Sequence, residues 1–228
     1  MLKFYYNTGP NPMKVALFLE EAGLQYEAIP LDTRKGDQHT PAYLALNPNA
    51  KAPTIVDDGV TVFDSNAILL YLAEKTGKFL PEDTPAARGM LLSWLMFVAS
   101  GVGPYSGQSV HFKVYASEEH AYARNRYDFE AERHFRILDE RLSKRRYVLG
   151  DTYTIVDMAT WGWARLIPRV LNEDAFAALP NVKRLVDEIN ARPAAERTMA
   201  LAAQHKFKTE MDADAHRHMF PSNERLKM

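Results

Sequence analysis

Residues Lys51-Ala52-Pro53-Thr54-Ile55-Val56 constrain the fold of this chain more than any other segment. A proline just ahead of a β-branched run removes one amide donor from a sheet, and X-Pro is the one peptide bond that adopts cis at low cost. Ala52 is then able to turn its N–H and C=O outward, where an extended peptide can pair with them as an added strand. The turn Asp57-Asp58-Gly59, the strand Val60-Thr61-Val62-Phe63 and the pair Asp64-Ser65 follow directly, and the pair opens an apolar helix. A helix start offers amides to an anion, and Asp64 offers a carboxylate to an amine. The combination describes a binding site for a small peptide with a free amino-acid end.

The chain has no cysteine among its 228 residues. That excludes disulfide staples, thiolate metal sites and protein-borne thiol catalysis, so any sulfur chemistry must arrive with the ligand. The formal net charge of -1 gives no electrostatic footprint for nucleic acid or an anionic membrane. The apolar stretches are read as interrupted by charge short of a membrane span, and Met1-Leu2-Lys3-Phe4 lacks a secretory apolar core. A cytoplasmic location is the expectation. Length allows one large core or two smaller ones.

Organisation along the chain favours two. Leu2–Tyr6 reads as a strand. Asn11 looks like the cap of a helix with Pro12 at its first position, ending at Gly23, and Tyr26–Leu31 reads as a second, parallel strand. A short helix over Pro41–Leu46, a hairpin about Asp58-Gly59 and a helix from Ser65 to Thr76, capped by Gly77, complete a βαβαββα pattern. Lys78–Pro85 is a linker. Beyond it, Ala86–Val102, Glu118–Arg145, Ile155–Arg169 and Val182–Ala191 carry a helical period, punctuated at Gly101, Gly103, Pro104, Gly150, Pro180 and Pro193. The expected division is 1–80, an all-helical 86–205, and a polar tail over 206–228 that wraps the surface or is loose.

Three motifs in this order, Asn49-Ala50-Lys51-Ala52-Pro53-Thr54, Asp64 to Leu72, and Thr154-Ile155-Val156-Asp157, make the chain resemble a cytosolic glutathione transferase over essentially its whole length. The resemblance implies an α/β plus all-α fold: a thioredoxin-like N-terminal domain followed by an all-helical domain. Thr8-Gly9-Pro10-Asn11, Gly36-Asp37-Gln38 and the stretch Gly103–Phe112 are similar to the bacterial Nu class, whose members act without a catalytic cysteine or tyrosine as glutathione-dependent disulfide reductases. The class usually places a threonine two residues before the asparagine; here that slot is Gly9, with Thr8 one step earlier. Thr8, the Gly9 amide, Tyr6 and Asn11 therefore stand as groups able to face the sulfur, with Asn11 and Thr8 taken as catalytic. Asn11 equally suits a plain helix cap.

What the resemblance implies for binding is specific. Asp64 and Ser65 hold the γ-glutamyl end of glutathione, the Ala52 backbone beside Pro53 pairs with the cysteinyl unit, and Gln38 and Lys51 meet the glycyl carboxylate. Arg126 matches an arginine that reaches glutathione from the neighbouring subunit of a homodimer, although its charged surroundings also fit a solvated helix face. Tyr105, His111 and Phe112 form a second-substrate pocket for a small disulfide or electrophile, or else pack in the core. Thr154 and Asp157 read as a structural capping box, and Trp161 and Trp163 as core. His216 and His218, near Asp212 and Asp214, read as solvated, and no metal is expected. The reading is an enzyme that binds glutathione as thiolate and reduces disulfides. The alternatives are conjugation to electrophiles, or ligand binding without catalysis.

Overall fold

A computed structural model describes residues 1–227 of the chain, with side chains through Arg225. Two compact units emerge: residues 1–68 together with those from 197 onward, and residues 69–196.

In the first unit, β1 (Leu2–Tyr6), α1 (Pro10–Ala22), β2 (Tyr26–Pro30), α2 (Pro41–Leu44), β3 (Thr54–Asp57) and β4 (Val60–Phe63) precede α3 (Ser65–Thr76). The four strands are ordered β2-β1-β3-β4, with β1 and β2 parallel as expected and the other two pairings antiparallel. Alternation buries Phe4, Tyr6 and Ile55 completely. Asp58 and Gly59 both take positive φ, 48° and 88°, the pair of angles whose twist matches a two-residue hairpin.

α1 starts earlier than expected. Asn7 Oδ1 accepts the Gly9 N–H at 2.9 Å, which closes a turn that makes Gly9 the cap and Pro10 the first helical residue. Asn11 is thus inside the first turn and not its cap. A proline costs nothing there, because that amide has no partner in a helix anyway.

The expected edges at residues 80, 86 and 205 shift. The boundary falls within α3, because its second half and the linker are tied to the helical unit: Arg88 Nη1 pairs with Glu74 Oε1 at 2.9 Å and Ile155 donates its N–H to Phe79 O at 3.0 Å. The C-terminal segment packs on the sheet unit. Arg197 Nε meets Glu20 Oε2 at 2.8 Å, Lys208 donates its N–H to Asp32 Oδ2 at 2.7 Å, and Arg34 Nη1 donates to Lys208 O at 2.8 Å. These contacts recruit polar groups that a hydrophobic pattern does not reveal. α10 (Pro193–Gln204) runs across the boundary, and α11 (Ala213–Met219) follows, capped by Asp212.

The helical unit contains α4 (Pro85–Phe97), α5 (Gly103–Val110), α6 (Ala121–Leu142), α7 (Ile155–Ala164), α8 (Ile167–Val170) and α9 (Pro180–Asn190). The break expected at Gly103-Pro104 is absent. A π turn over Val98–Val102 carries α4 into α5, with the Gly103 N–H reaching Val98 O, and a wide turn accommodates the missing amide of Pro104. A second π turn, His111–Tyr115, extends the run. Pro85–Tyr115 is consequently one helix long and apolar enough to cross a membrane by length and composition. This corrects the expectation of interrupting charge, since none lies between Arg88 and Lys113. Its buried face meets protein: Ser109 Oγ donates to Val170 O at 2.6 Å, and a Cβ on Gly101 would fall 2.4 Å from His134 Nε2. In place of Ile155–Arg169, α7 ends at Ala164, because Pro168 restarts the chain as α8.

The capping box forms as expected. Asp157 is fully buried; Oδ2 accepts the Thr154 N–H at 2.9 Å and Oδ1 accepts that of Val148 at 2.8 Å. Asp157→Ala strands both amides, so it is expected to lower unfolding free energy by about 2–4 kcal/mol in urea titrations. Burial raises this carboxyl to about 6, so between the unfolded value and that pH the native state alone keeps the proton. The advantage of wild type over the variant is therefore largest in acid and shrinks as pH rises through 6.

Candidate functional site

The loop before β3 is built around one carbonyl. Lys51 O accepts from Tyr43 Oη at 2.6 Å and from Asn47 Nδ2 at 2.7 Å. The same two groups lie 2.8 and 3.1 Å from Thr54 Oγ1, so the residues on both sides of Ala52-Pro53 hang from one buried pair. The Ala52–Pro53 bond is cis. The N–H and C=O of Ala52 take no partner among the described residues, and Lys51 is exposed. Tyr43 and Asn47 were not singled out from sequence. The signal for Asn47 is the Asn47-Pro48-Asn49 turn, where its Oδ1 also accepts the Asn49 N–H at 3.0 Å; Tyr43 offers none beyond its place on a short helix.

Register carries this loop to the Asp64-Ser65 turn. Thr54 faces Phe63 on β4 and Tyr5 on β1, so one step outward Pro53 comes level with Asp64 on one side and with Tyr6, leading to Thr8, on the other. Asp64 holds φ 69°, a left-handed conformation uncommon for side-chain-bearing residues, although aspartate adopts it more often than most. Its Oδ1 accepts the N–H groups of Asn66 at 2.8 Å and Ala67 at 3.1 Å. The capping role is thus real, and it uses one oxygen. Oδ2 has no hydrogen-bond partner among the described residues. Ser65 is buried as the first residue of α3.

Lys14 went unremarked in the sequence, where it stands in the apolar run from Met13 to Leu19. It is 1% exposed, and its Nζ donates to Asn66 Oδ1 at 2.9 Å. Burial lowers its ammonium to about 7, against the opposing pull of the Asp64 charge.

Of the four groups proposed to face a sulfur, two are engaged elsewhere. The Gly9 amide is held by Asn7. Tyr6 is fully buried; its hydroxyl donates to Leu201 O at 3.1 Å and lies 2.7 Å from His205 Nδ1, and burial raises its pKa. Thr8 is exposed and Asn11 half-buried at the start of α1.

Gln38 is not presented to solvent beside Lys51. It is 3% exposed, and its Nε2 donates to Thr33 O at 3.2 Å and His218 O at 2.9 Å. Its Oε1 is buried without a partner among the described residues. His218 packs its ring against Gly36, where a Cβ would fall 2.6 Å from Nδ1, and Arg217 pairs with Asp214. Among the described residues no group of three metal-ligating side chains comes together.

In the helical unit, Arg126 Nη1 pairs with Glu130 Oε1 at 2.7 Å. Arg133 and then Arg126 hold the Glu130 carboxyl below its usual range. Tyr105, His111 and Phe112 belong to an aromatic group. Phe112 stacks on Tyr127 at 5.4 Å and meets His111 edge-on at 5.1 Å, while Tyr105 lies 5.0 Å from the buried His134. All three are half-buried, which fits a wall as well as core packing.

Comparison with known proteins agrees with this architecture. Residues 1–74 match the family model for the glutathione S-transferase N-terminal domain, and residues 101–193 match the model for its C-terminal domain. The disulfide-bond oxidoreductase YfcG of Escherichia coli is 41% identical over 201 residues, covering 85% of this chain and 92% of YfcG. The disulfide-bond oxidoreductase YghU of the same organism is 37% identical over 212 residues, covering 86% and 73%. A glutathione transferase family member from Pseudomonas fluorescens, solved with two glutathione molecules bound, superposes with a TM-score of 0.82 at 36% identity, over 87% of this chain and 92% of that one. One from Pseudomonas putida, with one glutathione disulfide bound per subunit, gives 0.82 at 35%, over 90% and 92%. With both domain models matched in order and relatives above one-third identity along most of its length, the chain belongs to the glutathione S-transferase family.

Proposed function

We propose that this chain is a glutathione-dependent disulfide reductase of the Nu type. The observation that carries the reading is the juxtaposition, through the register of β3 and β4, of an unpartnered Ala52 backbone with the Asp64-Ser65 helix start in a protein without cysteine. A tripeptide thiol ending in a free amino acid matches that pair: its backbone adds to the strand at Ala52, its α-ammonium meets Asp64, and its α-carboxylate meets Ser65 and the amides of α3. Lys51 is left to neutralise the glycyl carboxylate. Gln38 serves as a support for the chain around Thr33 and His218.

The bound thiol reacts as thiolate. Lowering its pKa by about two units requires ~2.7 kcal/mol, and one or two hydrogen bonds to a charged sulfur, at about 1.5–3 kcal/mol each, suffice. Thr8, Asn11 and the positive end of α1 supply them. The thiolate attacks one sulfur of a disulfide, forming a mixed disulfide and releasing the other sulfur as a thiolate, which takes up a proton. A second glutathione attacks the mixed disulfide, yielding glutathione disulfide and the second thiol. The names of YfcG and YghU, and the disulfide bound in the Pseudomonas putida relative, favour this over conjugation. We also propose a cytoplasmic homodimer in which Arg126 exchanges Glu130 for glutathione bound by the neighbouring subunit. Exposed apolar side chains on the helical unit, Met96, Tyr122 and Phe129 among them, suit a covered face.

Ser65→Ala and Asp64→Asn are expected to weaken glutathione binding by about 1–3 kcal/mol each in calorimetric titrations; Asp64→Asn keeps the capping oxygen and removes the charge. Unchanged affinity in both would reduce the pair to a cap. Asn11→Ala should raise the pKa of bound glutathione, read as thiolate absorbance against pH, and lower turnover more than it raises KM. Treatment of the protein with a thiol alkylator, followed by washing, should leave disulfide reductase activity intact and above the rate of conjugation to a chloronitroarene. Faster conjugation would overturn the assigned reaction.

A further inference from the structure

The clamp just described rests on a residue that nothing in the proposed chemistry uses. Lys14 is sealed from solvent at 1% exposure, in a helix whose Met13, Val15, Leu17 and Phe18 are buried as well. A lysine there is expensive, because taking an ammonium out of water disfavours its charged form by several pKa units. An unbranched apolar residue would join α1 to its neighbours at lower cost. Among the described residues the polar group of Lys14 has one hydrogen-bond partner: Nζ donates to Asn66 Oδ1 at 2.9 Å, and Asp64 is the charge that acts on it. Asn66, itself 4% exposed, donates its N–H to Asp64 Oδ1 at 2.8 Å. Lys14 and Asp64 are thus joined through one residue.

The joint matters because of the backbone it supports. Asp64 sits at φ 69°, a left-handed conformation that aspartate reaches more readily than most side chains and that local hydrogen bonds such as the one from Asn66 help to hold. Lys14 also lies three residues after Asn11 on the same helix, so the two share a face. One buried side chain therefore spans from the helix that begins beside Thr8 to the helix that begins at Ser65.

We propose that Lys14 is a positioning residue for the glutathione site: by holding Asn66 it fixes the Asp64-Ser65 turn in the conformation that receives the γ-glutamyl end. This rests on the reading of Asp64 and Ser65 as that clamp. Lys14 touches no substrate; its effect passes through Asn66 to Asp64.

The test compares Lys14→Met, which keeps length without the donor, and Asn66→Ala, which removes the acceptor in a helix that tolerates alanine. For both, glutathione affinity is measured by calorimetry and KM and kcat with a small organic disulfide. Each variant is expected to fold, to bind glutathione about tenfold more weakly, and to show that loss in KM with kcat at saturating glutathione changed less than twofold. In an Asp64→Asn background the additional loss from Lys14→Met should shrink, since only Ser65 and the amides of α3 are then left for the turn to position. Should Lys14→Met fail to fold, Asn66→Ala carries the test alone. Affinity within twofold of wild type in the folded variants overturns the proposal, as does a loss that persists undiminished beside Asp64→Asn. Failure of the clamp reading itself shows separately, as normal affinity in Asp64→Asn and Ser65→Ala.

Discussion

The carbonyl of Lys51 is the point on which the site depends. Held by Tyr43 and Asn47 at 2.6 and 2.7 Å, it fixes the chain one residue before Ala52, while the same two side chains reach the hydroxyl of Thr54 two residues later. A backbone strap anchored at both ends has little freedom left between them. The edge offered by Ala52 is thereby a rigid one, and an added strand gains its hydrogen bonds without first paying to order the acceptor. The strand register then does the rest: because Thr54 faces Phe63, the anchoring of one loop also sets where Asp64 begins α3.

The C-terminal segment anchors other parts of the same unit. Its groups meet β1 and the loop after β2: Leu201 O and His205 engage Tyr6, and the Lys208 N–H engages Asp32. The His218 carbonyl takes the amide of Gln38. Tyr6 is consequently a structural residue, its hydroxyl spent on the chain's own end. Of the two tyrosines on β1, Tyr6 is therefore committed to the fold, and the chain carries no cysteine.

Where the sequence was legible, one local rule sufficed. The cis-compatible proline, the Asp58-Gly59 hairpin, the Gly77 stop and the Thr154-Asp157 box each specify geometry within a few residues, and the strand and helix order followed from them. The misreadings arose where distant groups decide. Asn7 moved the start of α1 through a side-chain turn, a π turn carried the chain through Pro104, and backbone contacts from residues beyond 200 settled the place of the tail and the burial of Gln38. Lys14 was invisible for a related reason: helical spacing marks its position as core, and only the fold reveals the polar partner on α3 that lets a lysine stay there.

The two buried titratable groups share a logic. Asp157, raised to about 6, and Lys14, lowered to about 7, are each shifted by burial toward their neutral forms. For Asp157 the native state holds an extra proton below its shifted value, so its contribution to stability falls as pH rises toward 6. For Lys14 the native state lacks a proton that the unfolded chain keeps between about 7 and its ordinary value, so its contribution rises across that range. The two contributions therefore run in opposite directions as pH rises, Asp157 losing stability on the acid side and Lys14 regaining it on the alkaline side. One of them caps a helix of the all-helical unit, and the other is spent beneath the turn where we place the amino-acid end of glutathione. Each buried group is thereby tied to the start of a helix, Asp157 through the amides of Val148 and Thr154 at α7 and Lys14 through Asn66 at α3.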